Sequence, residues 1–177
     1  MALAKDYPMT IPFCAVMFCD KNLCVEALNF LKTELGDTAK ISKEIDFSKE
    51  TDYYDEEMGG GDIKKIYMVF KKPMKREFLA QLKVKTNEFE QKFAENGKRR
   101  INLDPGYITK DKFVLASAKD YFHRIAIGEG IFAETTIHFE ANNKIRRFSW
   151  TYSDYLLEEV QELLLFGRAT VPSPTEW

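Results

Sequence analysis

Arg99-Arg100-Ile101-Asn102-Leu103-Asp104-Pro105-Gly106-Tyr107 gathers two guanidiniums, an amide, a carboxylate and a phenol into nine positions. Its second half carries turn chemistry. Proline presets φ at the second position of a turn, and glycine accepts the positive φ that a type II turn needs at the third. The sequence therefore predicts a bend at Asp104 to Tyr107, with Gly106 at positive φ and the polar groups hung on it. Ile101 and Leu103 begin a strand just before.

Upstream of this stretch the periodicities alternate. Pro12 to Phe18 is an apolar run suited to a buried strand. Leu23, Ala27, Leu31 and Leu35 form a helical stripe, capped by Asp20 to Asn22 and ended by Gly36. Ile41, Ile45 and Phe47 alternate with polar residues, and Ile63 to Phe70 reads as another strand. Lys75 to Ala94 is an amphipathic helix with Phe78, Leu82, Phe89 and Phe93 inward, closed by Gly97. Strand, helix, strand, strand, helix, strand is the order of a ferredoxin-like split βαβ unit, whose helices cover one face of an antiparallel sheet. Between the strands lies Thr51 to Gly61, an acidic, aromatic, glycine-ended stretch. It reads as a hairpin connection or as a mobile lid with ligand-facing tyrosines. Its glycines are no P-loop, because Asp62 stands where a Lys-Ser/Thr pair is required.

Downstream the chain is mostly strand: Phe113 to Lys119, His123 to Ile127, Ile131 to Glu140 and Lys144 to Trp150, with Asn142-Asn143 at a hairpin tip. Ser153 or Asp154 caps a last helix with Leu156, Leu157, Val160, Leu163 and Leu164 inward, and Gly167 stops it. The tail to Trp177 is expected to be loosely held. The expected fold class is α+β, with a ferredoxin-like first half, an antiparallel β-rich second half and a C-terminal helix, in a single domain over residues 1–177.

Composition narrows the function classes. The 177 residues include 14 Phe and 8 Tyr, which argues against disorder. A net charge of −2 gives no reason to expect nucleic acid or an acidic membrane surface. RNA binding on the sheet would want exposed strand aromatics and a basic stripe. Cys14, Cys19 and Cys24 are an odd set read as reduced, core-packing thiols of a cytoplasmic protein, and their spacing fits no zinc pattern. No apolar run reaches the ~18 residues of a membrane span, and no signal-peptide layout opens the chain.

Three-residue loops at Asp120 to Phe122 and Gly128 to Gly130 would make the central strands an antiparallel meander. Arg124 then faces Ala118 on one side and Glu134 on the other, and Phe132 faces Ala126. Thr136 and His138 continue that face. Phe113, Leu115, Ile125, Ile127, Ile131, Ile137 and Phe139 form the opposite, core face, and a one-residue slip would break the picture. Arg124 and Glu134 read either as a structural cross-strand pair or as part of a site. His123 falls opposite Lys119, and two cations together favour an anion between them. Arg99 and Arg100 either complement a helix end or recognise a carboxylate or phosphate. The candidate ligand-binding set is Arg99, Arg100, Asp104, Tyr107, Lys119, His123, Arg124 and Glu134, with at least one of the paired arginines near the hairpin cations. Asp104 and Glu134 would orient the cations, and Tyr107 would close the rim. Asp104, His123, Glu134 and His138 could ligate a metal, but no spacing dictates that they converge, and no metal is expected. No nucleophile elbow or Cys-His signature is present.

Several of these segments together resemble the signature of a bacterial family known only as domain of unknown function 4416. They are Arg99 to Tyr107, Lys119-Asp120 with His123-Arg124-Ile125, Gly130 to Glu134, and Trp150 to Tyr155. The Thr51, Tyr53-Tyr54 and Glu57-Met58-Gly59 stretch and Lys85-Thr86-Asn87 also fit, so the resemblance runs nearly end to end. Lys64-Lys65 departs from it, where an arginine is expected. The resemblance implies a soluble bacterial protein with no established activity. Proteins of this kind are sometimes labelled GTP-binding, a label that the missing P-loop does not support. The residues themselves point to binding of a small anionic or phosphorylated ligand, or else to a non-catalytic interaction module. They specify no cofactor, reaction or oligomeric state.

Overall fold

The computed structural model describes residue 3, residues 8–47 and residues 63–173. The Thr51 to Gly61 stretch and the last residues of the tail lie outside the described residues. The chain is α+β. One nine-stranded antiparallel sheet runs through it, in the order β2-β4-β1-β5-β6-β8-β7, with β3 added on β4 and β9 on β8.

The first half follows its sequence pattern. β1 (Ile11–Phe18) is buried at every position, as a central strand covered on both faces should be. α1 (Lys21–Leu35) is capped by the Asp20 carboxylate, which accepts the Asn22 N–H at 2.7 Å. It ends at Gly36, whose φ is +82°. The half-buried strand expected over Ile41 to Phe47 is two short strands, β2 (Thr38–Ile41) and β3 (Ile45–Asp46), both paired with β4 (Lys64–Phe70). α2 (Phe78–Lys92) starts three residues later than expected and buries Leu79, Leu82 and Phe89. β1 pairs antiparallel with both β4 and β5 (Ile101–Ile108). α1 and α2 share one core on one face of the sheet.

The predicted bend is absent. Asp104-Pro105-Gly106-Tyr107 runs straight through β5, in register with Pro12 to Ala15 of β1. Gly106 is not among the residues with positive φ. Its role is close approach: a Cβ there would lie 2.3 Å from the Val114 carbonyl oxygen of β6 (Lys112–Ser117). β5 pairs with β6 only over Gly106 to Ile108. In an antiparallel strand, alternate residues direct their backbone polar groups to the same edge. Leu103 directs its N–H and C=O away from β1, and Pro105 shares that edge without an N–H to offer. Pro105 thus ends the ladder, and β5 and β6 part below it.

The second half departs from the expected meander. β8 (Ile131–Phe139), not β7 (Ile125–Gly128), pairs with β6, so β7 is the edge strand. The β7–β8 hairpin keeps the expected Ala126–Phe132 partnership. Against β6, however, Phe113 pairs with Ile137 and Val114 with Thr135, which leaves Thr136 as an extra residue. Such a bulge flips every later side chain to the other face. Glu134 therefore shares a face with Leu115 and Ile137 instead of opposing them, and Ile131 joins the α1–α2 core. Ile125 and Ile127, expected in the core, are exposed on the edge.

β9 (Ile145–Arg147) is shorter than expected, and Asn142 and Asn143 at the tip have positive φ. α3 (Glu158–Thr170) begins after a 3₁₀ turn at Ser153–Leu156, so Asp154 stands a turn too early to cap it. Gly167 does not stop the helix. It lies inside it, where a Cβ would meet Ile108 at 2.5 Å. α3 covers the second face of the sheet, packing Val160, Leu163 and Leu164 near Phe13, Phe113 and Tyr155. Among the described residues no helix is long and apolar enough to cross a membrane. Cys14, Cys19 and Cys24 carry free thiols, two of them buried.

Candidate functional site

Where β5 and β6 part, a cavity of about 430 Å³ opens, lined by side chains from both faces of the sheet. Five lining residues are cationic (Lys65, Lys83, Arg99, Lys119 and Arg124) and three are carboxylates (Asp104, Glu134 and Asp154). Three networks organise them.

The first stands on the β5 side. With no strand on the β6 side of Leu103, side chains of α2 take its backbone. Lys83 Nζ donates to the Leu103 carbonyl at 2.7 Å, and the Leu103 N–H donates to Glu90 Oε1 at 2.8 Å. A loop of side chains closes around this point. Arg99 lies 3.5 Å from Glu90 and donates to Asn102 Oδ1 at 2.7 Å. Asn102 Nδ2 donates to Asp104 Oδ2 at 2.8 Å. Asp104 Oδ1 lies 3.6 Å from Lys83, which is 3.8 Å from Glu90. Burial raises the Glu90 carboxyl above the ordinary carboxylate range, with the Lys83 charge pulling it back.

The second stands on the β6–β8 side. Arg124 Nε donates to Glu134 Oε2 at 2.7 Å, and the same oxygen lies 2.9 Å from His123 Nε2. Arg124 Nη1 also donates to Ser117 Oγ and the Lys119 carbonyl, at 2.9 and 2.8 Å. The Arg124 side chain is only 7 % exposed. His123 stacks on Trp150 with ring centroids 4.7 Å apart, and the Trp150 indole donates to the Thr135 carbonyl at 2.9 Å.

The third forms the back wall. Lys65 Nζ, buried among the rings of Phe47, Tyr67 and Tyr155, donates to Asp154 Oδ2 at 2.6 Å. The Tyr67 hydroxyl donates to the same oxygen, also at 2.6 Å. Burial, and then the Asp154 charge, push the Tyr155 hydroxyl well above its usual pKa. At the mouth, Tyr121 and Tyr152 are each more than half exposed, and the Arg124 guanidinium lies 5.0 Å from the Tyr121 ring centre.

Of the eight residues expected from sequence, Arg99, Asp104, Lys119, Arg124 and Glu134 line this cavity. His123 stands behind it, against Glu134. Arg100 turns away, to Glu95 at 2.9 Å and Cys19 at 3.3 Å. Tyr107 packs against the α1–α2 core, so it closes no rim. Lys119 and His123 do not face each other across a hairpin, because β8 separates β6 from β7.

The sequence reading missed Lys65, Lys83, Asn102 and Asp154 as site residues. A signal was present for two of them. Lys65 is one of two lysines at the start of a strand that is apolar from Ile66 on, and Lys83 and Glu90 fall seven apart on the inward stripe of α2. Asp154 was hidden because it reads as a helix cap. No three His, Cys, Asp or Glu side chains among the described residues converge as metal ligands.

A family model described as Domain of unknown function (DUF4416) matches residues 9–170. The chain belongs to this family. No curated protein and no solved structure matches it. The DUF4416 match spans every element that builds the cavity, from β1 to α3.

Proposed function

We propose that the protein binds a small anionic ligand, such as a phosphorylated metabolite, in the cavity between β5 and β6. The observation that carries this reading is the lining itself, with five cationic side chains against three carboxylates around about 430 Å³. That volume is in the range of small-molecule sites, roughly 300–1,000 Å³. Arg124 serves as a wall, since Glu134, Ser117 and the Lys119 carbonyl occupy its donors. Arg99, 35 % exposed, and Lys119, exposed two residues past the end of β6, are the cations at the open side. Calorimetry with inorganic phosphate and phosphorylated metabolites tests the reading. Binding should weaken in Lys119→Ala and Arg99→Ala and as salt rises. Failure of the wild type to bind any anion would leave the second reading.

That second reading is a non-catalytic interaction module. Phe122, 88 % exposed, and Ile125 on the edge strand β7 favour it, because exposed apolar groups on a sheet edge suit partner contact. The first half is best read as a ferredoxin-like unit within a single domain. The strand order β2-β4-β1-β5, with α1 and α2 on one face, supports that.

A further inference from the structure

We infer that the ligand of this cavity is a phosphorylated polyol, of the sugar-phosphate class, with its hydroxyls on the β5 wall and its phosphate at the open side near Arg99 and Lys119. The inference rests on the reading above and narrows it. Most of the lining charge is spent inside the protein. Lys65 is matched by Asp154, Arg124 by Glu134, and Lys83 and Arg99 by Asp104 and Glu90. Paired ions cancel as a field but remain directional donors and acceptors. A bare phosphate would reach the partly exposed Arg99 and the exposed Lys119 at the open side and would leave the directional groups of the rest of the wall unused.

A chain of hydroxyls can use it, since each is both donor and acceptor. The Asn102 and Asp104 side chains are linked at 2.8 Å on the wall, and Asp104 is 30 % exposed toward the cavity. Asn87 of α2 adds a further amide, also lining it. At the mouth, Tyr121 and Tyr152, each more than half exposed, offer aromatic surface against which the C–H side of a sugar can pack.

The experiment is titration calorimetry with five probes: inorganic phosphate, glycerol 3-phosphate, ribose 5-phosphate, glucose 6-phosphate and AMP. At least one of the three polyol phosphates should bind about ten-fold or more tightly than inorganic phosphate, about one hydrogen bond's worth of affinity. Asp104→Ala should erase that advantage while binding inorganic phosphate at least as tightly as wild type, because a carboxylate beside Lys83 is gone. Asn87→Ala, a change on the helix surface, should reduce it without loss of folding. Lys119→Ala should weaken phosphate and polyol phosphate alike. Inorganic phosphate binding as tightly as all three polyol phosphates would overturn this inference and leave the anion-site reading standing. Tightest binding of AMP, insensitive to Asp104→Ala, would overturn it too. No binding of any anion would remove the anion site itself.

Discussion

On the β8 side of the cavity, one carboxylate oxygen of Glu134 serves both Arg124 and His123. On the β5 side, Glu90, Arg99, Asn102, Asp104 and Lys83 share the load around a closed loop. The β8 side is concentrated on a single buried group, so it has no substitute if that group is lost. The β5 side is distributed, so loss of an exposed member such as Asp104 leaves the buried ones partnered with each other and with the backbone of Leu103. A buried charge is costly to strand and cheap to share. The β8 wall should therefore be fragile to one substitution, and the β5 wall tolerant at its exposed members.

The sharpest way to break this contrast is Glu134→Ala. It leaves the Arg124 guanidinium buried without its carboxylate and should cost about 3–5 kcal/mol, read from the urea midpoint. A loss below about 1 kcal/mol, the exposed-pair range, would show that Ser117 and the Lys119 carbonyl suffice and would dissolve the contrast. Lys83→Met should come next, at about 2 kcal/mol, since it orphans the Leu103 carbonyl. Gly106→Ala should cost about 1–3 kcal/mol by overpacking against Val114. An unchanged melting temperature there would mean that β6 can retreat from β5 freely. Asp104→Ala, at an exposed member of the loop, should cost about 1 kcal/mol or less.

The smallest effect concerns pH. Glu90 keeps its proton to a higher pH in the folded protein than in the unfolded chain. Its contribution therefore favours the native state below its unfolded pKa and is lost as pH rises through its folded one. Glu90→Gln cannot titrate, so its denaturation midpoints should fall less than those of wild type over that window. Parallel pH profiles for the two proteins would show that the loop carries no titrating burden.

The two halves differ in how much their residues disclose. Along β1, α1, β4 and α2 the apolar periods translate directly into burial, because each element faces a core along its whole length. The Thr136 bulge defeats the same logic in β8. Alternation counted from Glu134 is right up to that residue and inverted after it, and nothing in Thr135-Thr136-Ile137 announces the extra residue. Strand order is the other gap. The chain shows that β6, β7 and β8 are strands but not that β8 lies in the middle, since that depends on which strand can be covered by helices. Asp104-Pro105-Gly106 was legible as something special and misread in kind. Turn chemistry and a ladder's end call on the same two residues, one for its missing N–H and the other for its missing side chain. Arg99, Asp104 and the Arg124–Glu134 partnership were legible because local spacing sets them. Lys65 and Asp154 meet only through the tertiary fold, 89 residues apart.

The seam between β5 and β6 also bears on what kind of guest it excludes. An open strand edge ordinarily recruits an extended peptide, which adds itself to the sheet through main-chain hydrogen bonds. Here the Leu103 amide and carbonyl are already taken by Glu90 and Lys83, and Pro105 has no amide to give. β-Augmentation along this edge would have to displace two buried charged groups to gain two bonds. The seam stays wide enough for a small molecule while being closed to a strand.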